Sequence, residues 1–285
     1  DTMRNRATKS GETRDIWLDE KTEESVSHGL RIECEIRAKY QRGRQSVHQY
    51  LRMTSIVNPH ASISLVVRDR DGSVIEEGDW QRTTERLPRE VSEIRPHPHG
   101  IQLGSLQRML RESQERKMTS FLRHNFSGVS MRAAREILAA AGLDEGRSPK
   151  RISADDAQGM VTAFRKVKLL ARPTDCLSPI EDLLIKKGLS KAIDSRFAST
   201  ITRSPKVTQG NPFQIEVGLV FGGDLSADGP IEVLRFANRV PLMYQQGGCL
   251  LTKALEAVDW KRYGLDHPGG KGIPKGPAAV LIHLA

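Results

Sequence analysis

The sequence predicts an α+β protein. Two observations carry that reading: apolar residues alternate with period two in some stretches, and in others they recur at helical spacing. A third, the proline-rich breaks at Arg95–Gly100 and after Arg172, predicts that these patterns belong to separate pieces. The chain has 285 residues, enough for two or three domains of roughly 100–150 residues each.

Taken in order, residues 1–26 are polar and without sustained periodicity, and read as loop-like. Leu30, Ile32, Cys34 and Ile36 share one face of an expected half-buried strand. A helix follows with Val47, Tyr50, Leu51 and Thr54 on one side, stopped at Asn58-Pro59. Ala61–Arg68 reads as a second strand, turned by Asp71-Gly72 into a third. Beyond Gly100 the spacing becomes helical. Leu103, Leu106, Met109 and Leu110 share a face, as do Phe121, Leu122 and Phe126. Ser130 caps a helix through Ala134, Ile137 and Leu138, ended by Gly142. Ser153 caps another running through Met160, Phe164, Val167 and Leu170, with acids in its first turn and bases at its end, as the helix dipole favours.

After Pro173 the pattern changes again. A short helix is expected over Pro179–Lys187. Gln214–Phe221 and Glu232–Val240 read as neighbouring strands, and Cys249–Val258 as a helix with Leu250, Leu251, Ala254 and Leu255 inward. A Gly/Pro/Lys loop covers Gly264–Pro277, and an apolar strand runs from Ala278 to Ala285. A strand at the last residue suggests a polypeptide that continues.

Composition narrows the function classes. Hydrophobic content is 38%, charged content 28% and the net charge +9, and no apolar run approaches the ~18 residues of a membrane span. The first residues, Asp1-Thr2-Met3-Arg4-Asn5-Arg6, have no apolar stretch behind them and do not read as a secretory signal. Cys34, Cys176 and Cys249 form no CxxC pair, which argues against a zinc site or disulfide framework and for a reducing, cytoplasmic setting. GxSxG, HExxH and paired catalytic carboxylates are absent. His97-Pro-His99 lacks a third ligand for a metal. Gly269-Gly-Lys-Gly-Ile-Pro-Lys-Gly resembles a phosphate loop only in composition, since neither the GK[ST] ending nor a following helix is present.

The charge is unevenly spread. Residues 97–172 hold 14 basic and 7 acidic side chains, whereas residues 1–96 hold 17 of each. A solvated helical surface and a phosphate-binding face both fit such a segment. Arg108, Arg111, Arg116 and Lys117 are the candidate contacts for DNA. Lys271 and Lys275, in a loop expected to be mobile, either touch DNA or serve solubility.

Three stretches resemble one family. Arg42-Gly-Arg-Gln-Ser-Val-His-Gln-Tyr-Leu with Asn58-Pro-His-Ala is similar to the end of the ATPase fold in the B subunit of archaeal topoisomerase VI, a type IIB DNA topoisomerase. Pro96-His-Pro-His-Gly-Ile-Gln-Leu-Gly with Phe121-Leu-Arg-His-Asn-Phe-Ser resembles its helix-two-turn-helix insert. Pro173-Thr-Asp-Cys-Leu-Ser-Pro, Arg235-Phe-Ala-Asn-Arg-Val-Pro-Leu-Met-Tyr-Gln-Gln-Gly and Trp260-Lys-Arg-Tyr-Gly-Leu resemble its transducer. The resemblance implies the C-terminal part of a GHKL ATPase domain over 1–96, an all-helical DNA-binding domain over 97–172 and a truncated, ribosomal-protein-S5-like transducer over 173–285.

It also implies ATP and Mg2+ as cofactors and double-stranded DNA as substrate. A partner A subunit would cleave the DNA, and the B subunits would dimerise on ATP binding; no membrane is involved. The activity implied is ATP-dependent passage of one duplex through another, relaxing supercoils and decatenating DNA. Tyr244 is no candidate cleavage nucleophile, because the family's cleaving tyrosine lies in the A subunit. The family's nucleotide-pocket motifs, ExxxNxxDA and the Gly-rich lid, do not occur in these residues, so this stretch alone is not expected to hydrolyse ATP. Of the nucleotide contacts only Lys261 has a counterpart, the lysine that reaches the γ-phosphate. Read without the resemblance, Lys261 is a surface lysine beside a structural tryptophan. A non-catalytic DNA-binding scaffold related to the same family is the alternative reading. A ribosome-associated RNA binder is a further one, but it lacks RNP-type aromatics and a basic sheet face.

Overall fold

A computed structural model of the chain describes residues 17–18, 25–26, 32–170 and 173–285. Two compact units are present, residues 1–41 and residues 42–285. Within the first, β1 (Trp17–Leu18) and β2 (Ser25–Val26) form a short antiparallel pair inside the stretch expected to be loop-like. The strand expected around Leu30–Ile36 is not formed among the described residues: Ile32 and Ile36 are 74% and 76% exposed, and Leu30 lies outside that set. Alternation alone marks a strand only when a neighbour supplies ladder bonds and an apolar face to cover.

The second unit begins with α1 (Val47–Val57), capped by Ser46, whose hydroxyl accepts from Gln49 N at 3.1 Å. Its inward face is Met53, Ile56 and Val57, while Val47 and Tyr50 are exposed, a rotation away from the face expected. The reason is tertiary, because α1 packs on a later helix. β3 (Ile63–Arg68) and β4 (Val74–Trp80) form the expected hairpin around Asp71-Gly72.

The helical module follows as read: α2 (Leu103–Glu112), α3 (Met118–Asn125), α4 (Met131–Ala140) and α5 (Ala154–Lys166). Ser130 caps α4, and Ser153 with Asp156 makes a reciprocal capping box on α5. Gly142, at φ 67°, turns the chain just past α4. Leu106, Leu110, Phe121, Leu122, Phe126, Ile137, Leu138, Met160 and Phe164 form one apolar core, each fully buried side chain contributing about 1.5–3 kcal/mol. α5 ends at Lys166, so Leu170 lies beyond the helix and is exposed.

The last part is a five-stranded mixed sheet with helices on both faces. Its elements are α6 (Asp182–Ala192), β5 (Phe197–Thr202), β6 (Lys206–Thr208), β7 (Asn211–Phe213), β8 (Ile215–Phe221), β9 (Glu232–Ala237), β10 (Val240–Pro241), α7 (Leu250–Glu256) and β11 (Ala278–Leu284). The strand order is β10-β9-β11-β8-β5. β8 and β9 are therefore not neighbours: β11 lies between them, antiparallel to β8 and parallel to β9. Alternation identifies both strands but carries no information on pairing. β11 is buried along nearly its whole length, as a central strand covered on two faces should be.

One face packs on α6 and α1 through Ile180, Ile185, Leu189, Val220, Phe236 and Leu281. The other packs on α7, Trp260 and Leu265 through Ile231, Val280 and Ile282. α1 and α6 cross closely at Gly188, where an added Cβ would lie 1.9 Å from the carbonyl oxygen of Ile56. That crossing extends α6 past the expected end at Lys187. α7 is shorter than expected and buries Thr252 and Leu255, leaving Leu250 78% exposed.

Candidate functional sites

The basic surface of the helical module gathers at one corner. Arg108 and Arg111 project from α2 on the side opposite Leu106 and Leu110, and both are exposed. Arg116 and Lys117 are exposed in the turn leading into α3. Met118 N donates to Arg147 O at 3.0 Å, which brings the 147–151 segment against this turn, and the 3-10 turn Pro149–Arg151 packs on α2. Lys150 and Arg151 thus join the four arginines and lysines singled out from sequence. Their only sequence signal is membership of the basic segment.

Several other arginines of the module are paired. Arg132 meets Glu136 at 2.9 Å, Arg135 meets Glu145 at 3.2 Å and Arg147 meets Asp156 at 2.9 Å. Arg108, Arg111, Arg116 and Lys117 form no ion pair among the described residues, and neither do the exposed Arg123, Arg165, Lys166 and Lys168. The corner can therefore offer several uncompensated cations to a polyanion.

Lys261 stands on a 3-10 turn, Trp260–Tyr263. Trp260 is buried and its indole N–H donates to Leu255 O at 2.8 Å, fixing the turn against the end of α7. Gly264, at φ 76°, closes the turn in a conformation that favours glycine. Lys261 itself is exposed, and Tyr263 is 72% exposed with its ring set edge-on to Trp260, centroids 6.3 Å apart.

The Gly264–Pro277 stretch, expected to be mobile, is tied down at several points. Lys275 N donates to Asp266 O at 2.6 Å, Ile231 N to Pro274 O at 3.0 Å and Gly276 N to Gly229 O at 3.1 Å. His267 is buried, with Nε2 3.0 Å from Gly272 O. Backbone bridges can fix a Gly/Pro loop that forms no helix or strand, which is what its composition concealed. Lys271 and Lys275 remain exposed on it, on a different part of the chain from the α2–α3 corner.

Residues 172–285 match the family described as topoisomerase VI B subunit, transducer. Across 95% of its length the chain is 48% identical to the B subunit of type 2 DNA topoisomerase 6 from Methanococcoides burtonii, and likewise to that from Methanosarcina mazei. Identity to the Pyrococcus horikoshii protein of the same description is 33% over 90% of the chain. The chain is a homologue of the topoisomerase VI B subunit. It spans about 43% of the length of the first two relatives and 51% of the third.

Within the transducer lies a buried polar network that the sequence does not announce. Glu216 on β8 and His283 on β11 are both 0% exposed, with Glu216 Oε2 2.7 Å from His283 Nδ1. The carboxylate also accepts from Ile180 N, Glu181 N and Thr202 Oγ1, each at 2.7 Å. Burial by itself raises this carboxyl's pKa. The hydrogen bonds from His283, Ile180, Thr202 and Glu181 outweigh it and hold the group below its ordinary value. His283 Nε2 accepts from Arg239 N at 3.0 Å, which leaves the ring proton on Nδ1, donated to Glu216. The one available sequence signal is a charged or polar residue within each apolar strand.

Arg235 and Arg239 both fall within Glu232–Val240, read from sequence as one strand, but only Arg235 lies on β9, which ends at Ala237. Asn238 and Arg239 have φ of 47° and 64° and form the turn between β9 and β10. The Arg239 guanidinium donates to Val57 O at 2.8 Å and Pro179 O at 3.0 Å, tying the end of α1 to the corner before α6. Arg235 is buried and donates to Leu242 O at 2.7 Å and Tyr244 O at 3.2 Å. Both are internal clamps, a use that arginine's planar fork of donors suits.

His97 serves the fold: it is buried, with Nε2 3.0 Å from Leu170 O and Nδ1 accepting from His99 N. Among the described residues no three His, Cys, Asp or Glu side chains are placed to hold a metal ion, so these residues do not fit a magnesium site. Among the described residues no helix is long and apolar enough to cross a membrane.

Proposed function

We propose that this chain is the DNA-contacting and transducer portion of the B subunit of an ATP-dependent type II DNA topoisomerase. The observation that carries the reading is the match to curated B subunits over 95% of the chain. The unpaired basic corner gives it a physical counterpart. In this reading residues 1–96 complete an ATPase layer, residues 97–172 hold duplex DNA and residues 173–285 carry strain from one to the other. The A subunit, a second B subunit and duplex DNA are the partners.

Arg108, Arg111, Arg116 and Lys117 contact phosphates without reading sequence, because flexible cations on an exposed corner match the backbone rather than base edges. Lys271 and Lys275, exposed on the separate Gly264–Pro277 loop, give DNA a second basic contact. Lys261 presents its ammonium to the γ-phosphate of ATP bound outside this stretch; a compact charge on a flexible stem can span a gap between domains. ATP would supply the energy of the cycle, with Mg2+ neutralising its phosphates. What this chain contributes is the fixed turn from which Lys261 starts, set by the buried Trp260 and by Gly264.

The test is Lys261→Ala in the complete complex of A and B subunits. ATP turnover and strand passage should fall by at least about tenfold, the usual scale for losing a charge-stabilising donor, while DNA affinity stays unchanged. Wild-type turnover and supercoil relaxation would remove Lys261 from the nucleotide site.

A further inference from the structure

The connection between β5 and β8 is longer than the sheet requires. It leaves the sheet as a separate ribbon, β6–β7, paired Lys206 to Phe213, Val207 to Pro212 and Thr208 to Asn211. Its root is pinned, since Arg203 N donates to Ile215 O at 3.0 Å and Gln214 Nε2 to Arg203 O at 2.8 Å. Its turn uses Gln209 and Gly210, both at positive φ, 47° and 73°, as a two-residue hairpin loop does. A two-stranded ribbon has little stability of its own. Residues 206–209 are exposed, yet Gly210 at the tip is buried.

The leading turn of the helical module buries it. A Cβ on Gly210 would lie 2.8 Å from Gly100 N and 3.2 Å from His97 Cβ and Nδ1. A Cβ on Gly100 would lie 2.9 Å from Gln209 O and 3.4 Å from Asn211 Oδ1. Two glycines thus face each other, and backbone meets backbone at a distance that no side chain would allow.

The seat under the tip is itself a junction. His97 Nε2 meets Leu170 O at the module's far end, Ser127 N donates to Pro96 O at 3.0 Å and Leu170 N to Gly128 O at 3.3 Å. The start, the α3–α4 turn and the end of the module are therefore stitched together where the ribbon lands.

We propose that the β6–β7 hairpin is a brace that fixes the helical module, with its basic corner, against the transducer sheet, so that load on bound DNA reaches β5 and β8 directly. The force-transmitting role rests on the DNA-binding reading above; the bracing contact does not. The gap left by two facing glycines suits a contact that must keep its geometry, because closely packed backbones deform little. β5 and β8 also carry Thr202 and Glu216, so the ribbon grows from the strands that hold the buried network.

Two variants of the B subunit test this in the complete complex with its A subunit. In one, residues 207–212 are replaced by an Asn-Gly turn, which withdraws the tip and keeps the root. In the other, Gly100→Ala places a methyl against Gln209 O at a position without positive φ. Amide exchange at His97, His99, Gly100, Ser127 and Gly128 should quicken by about tenfold while the α2–α5 core keeps its protection. Strand passages per ATP should fall by about fivefold or more, within the range of coupling changes seen for residues that touch neither ligand, while DNA affinity is retained. Unchanged exchange at His97, His99, Gly100, Ser127 and Gly128 in the shortened hairpin would overturn the brace. Faster exchange with unaltered strand passage per ATP would overturn its force-transmitting role. Should the wild-type module make no contact with DNA, the proposed function fails, and the exchange result still decides the brace.

Discussion

In the helical module the charged side chains face solvent and the interior is apolar. In the transducer a carboxylate and an imidazole sit inside the sheet, and two arginines are spent on backbone carbonyls. The module's corner keeps its cations free of partners, as a surface that exchanges counterions for phosphates requires. The transducer keeps Lys261, Lys271 and Lys275 exposed but also places charge inside, where Glu216 and Arg239 help tie α1, the corner before α6 and the sheet together. A function carried on a surface and a function carried by rigidity place charge in opposite ways.

The comparison can be broken from either side. Phe164→Ala should cost the module about 3–5 kcal/mol, as expected for a fully buried aromatic, and amide exchange should show the loss across α2–α5 but not in the sheet. Equal loss in both would mean that the two parts share one core. Glu216→Gln should cost the transducer about 1–3 kcal/mol, since an amide NH2 replaces one acceptor oxygen and leaves buried donors without a partner, with the loss concentrated in β8, β11 and the start of α6.

Acid acts on the same group. Because the folded-state pKa of Glu216 is depressed, its contribution is complete above the ordinary value of 4.5 and is lost as pH falls from there through the folded-state value. Transducer exchange should therefore quicken on acidification in the wild type, and Glu216→Gln should flatten that dependence. A wild-type profile that is already flat would contradict an ionised, buried Glu216. Gly188→Ala follows at about 2–3 kcal/mol, the usual range for overpacking, because its methyl would meet the backbone oxygen of Ile56. Unfolding in urea that matches the wild type would show that α1 can move away from α6 freely.

The same contrast explains what can be read in the sequence. Apolar residues recur at helical spacing within each segment, as Leu103, Leu106 and Leu110 do, and Ser130 and Ser153 cap two of the helices, so all four helices of the module are legible and only Val167–Leu170 falls outside its expected helix. The transducer's strands are legible where residues alternate, as at Gln214–Phe221, and illegible where they do not. β5, Phe-Ala-Ser-Thr-Ile-Thr, has one weakly apolar face and gives too faint a signal. β6 and β7 are short and exposed, and no periodicity announces them.

Long-range choices are hidden for a different reason. That β11 inserts between β8 and β9, or that Arg239 reaches Val57 across 182 residues of sequence, depends on which surfaces meet. The basic segment is visible as a charge excess. Its corner geometry, with Lys150 and Arg151 beside Lys117, depends on the hydrogen bond from Met118 to Arg147, which no sequence pattern encodes.

Replacing Arg108, Arg111, Arg116 and Lys117 together by alanine should leave stability within about 0.5 kcal/mol, as for most exposed positions. That makes the set a clean probe of the central claim, that this corner holds duplex DNA by its phosphates. The measurement is DNA affinity at a series of salt concentrations, for the complete B subunit with and without the four substitutions. Each phosphate contact contributes about 0.9 to the slope of log affinity against log salt, so losing four should flatten it by about 3.6. Affinity should fall by the same amount on unrelated DNA sequences. An unchanged slope would contradict the claim and leave the corner a solvated surface.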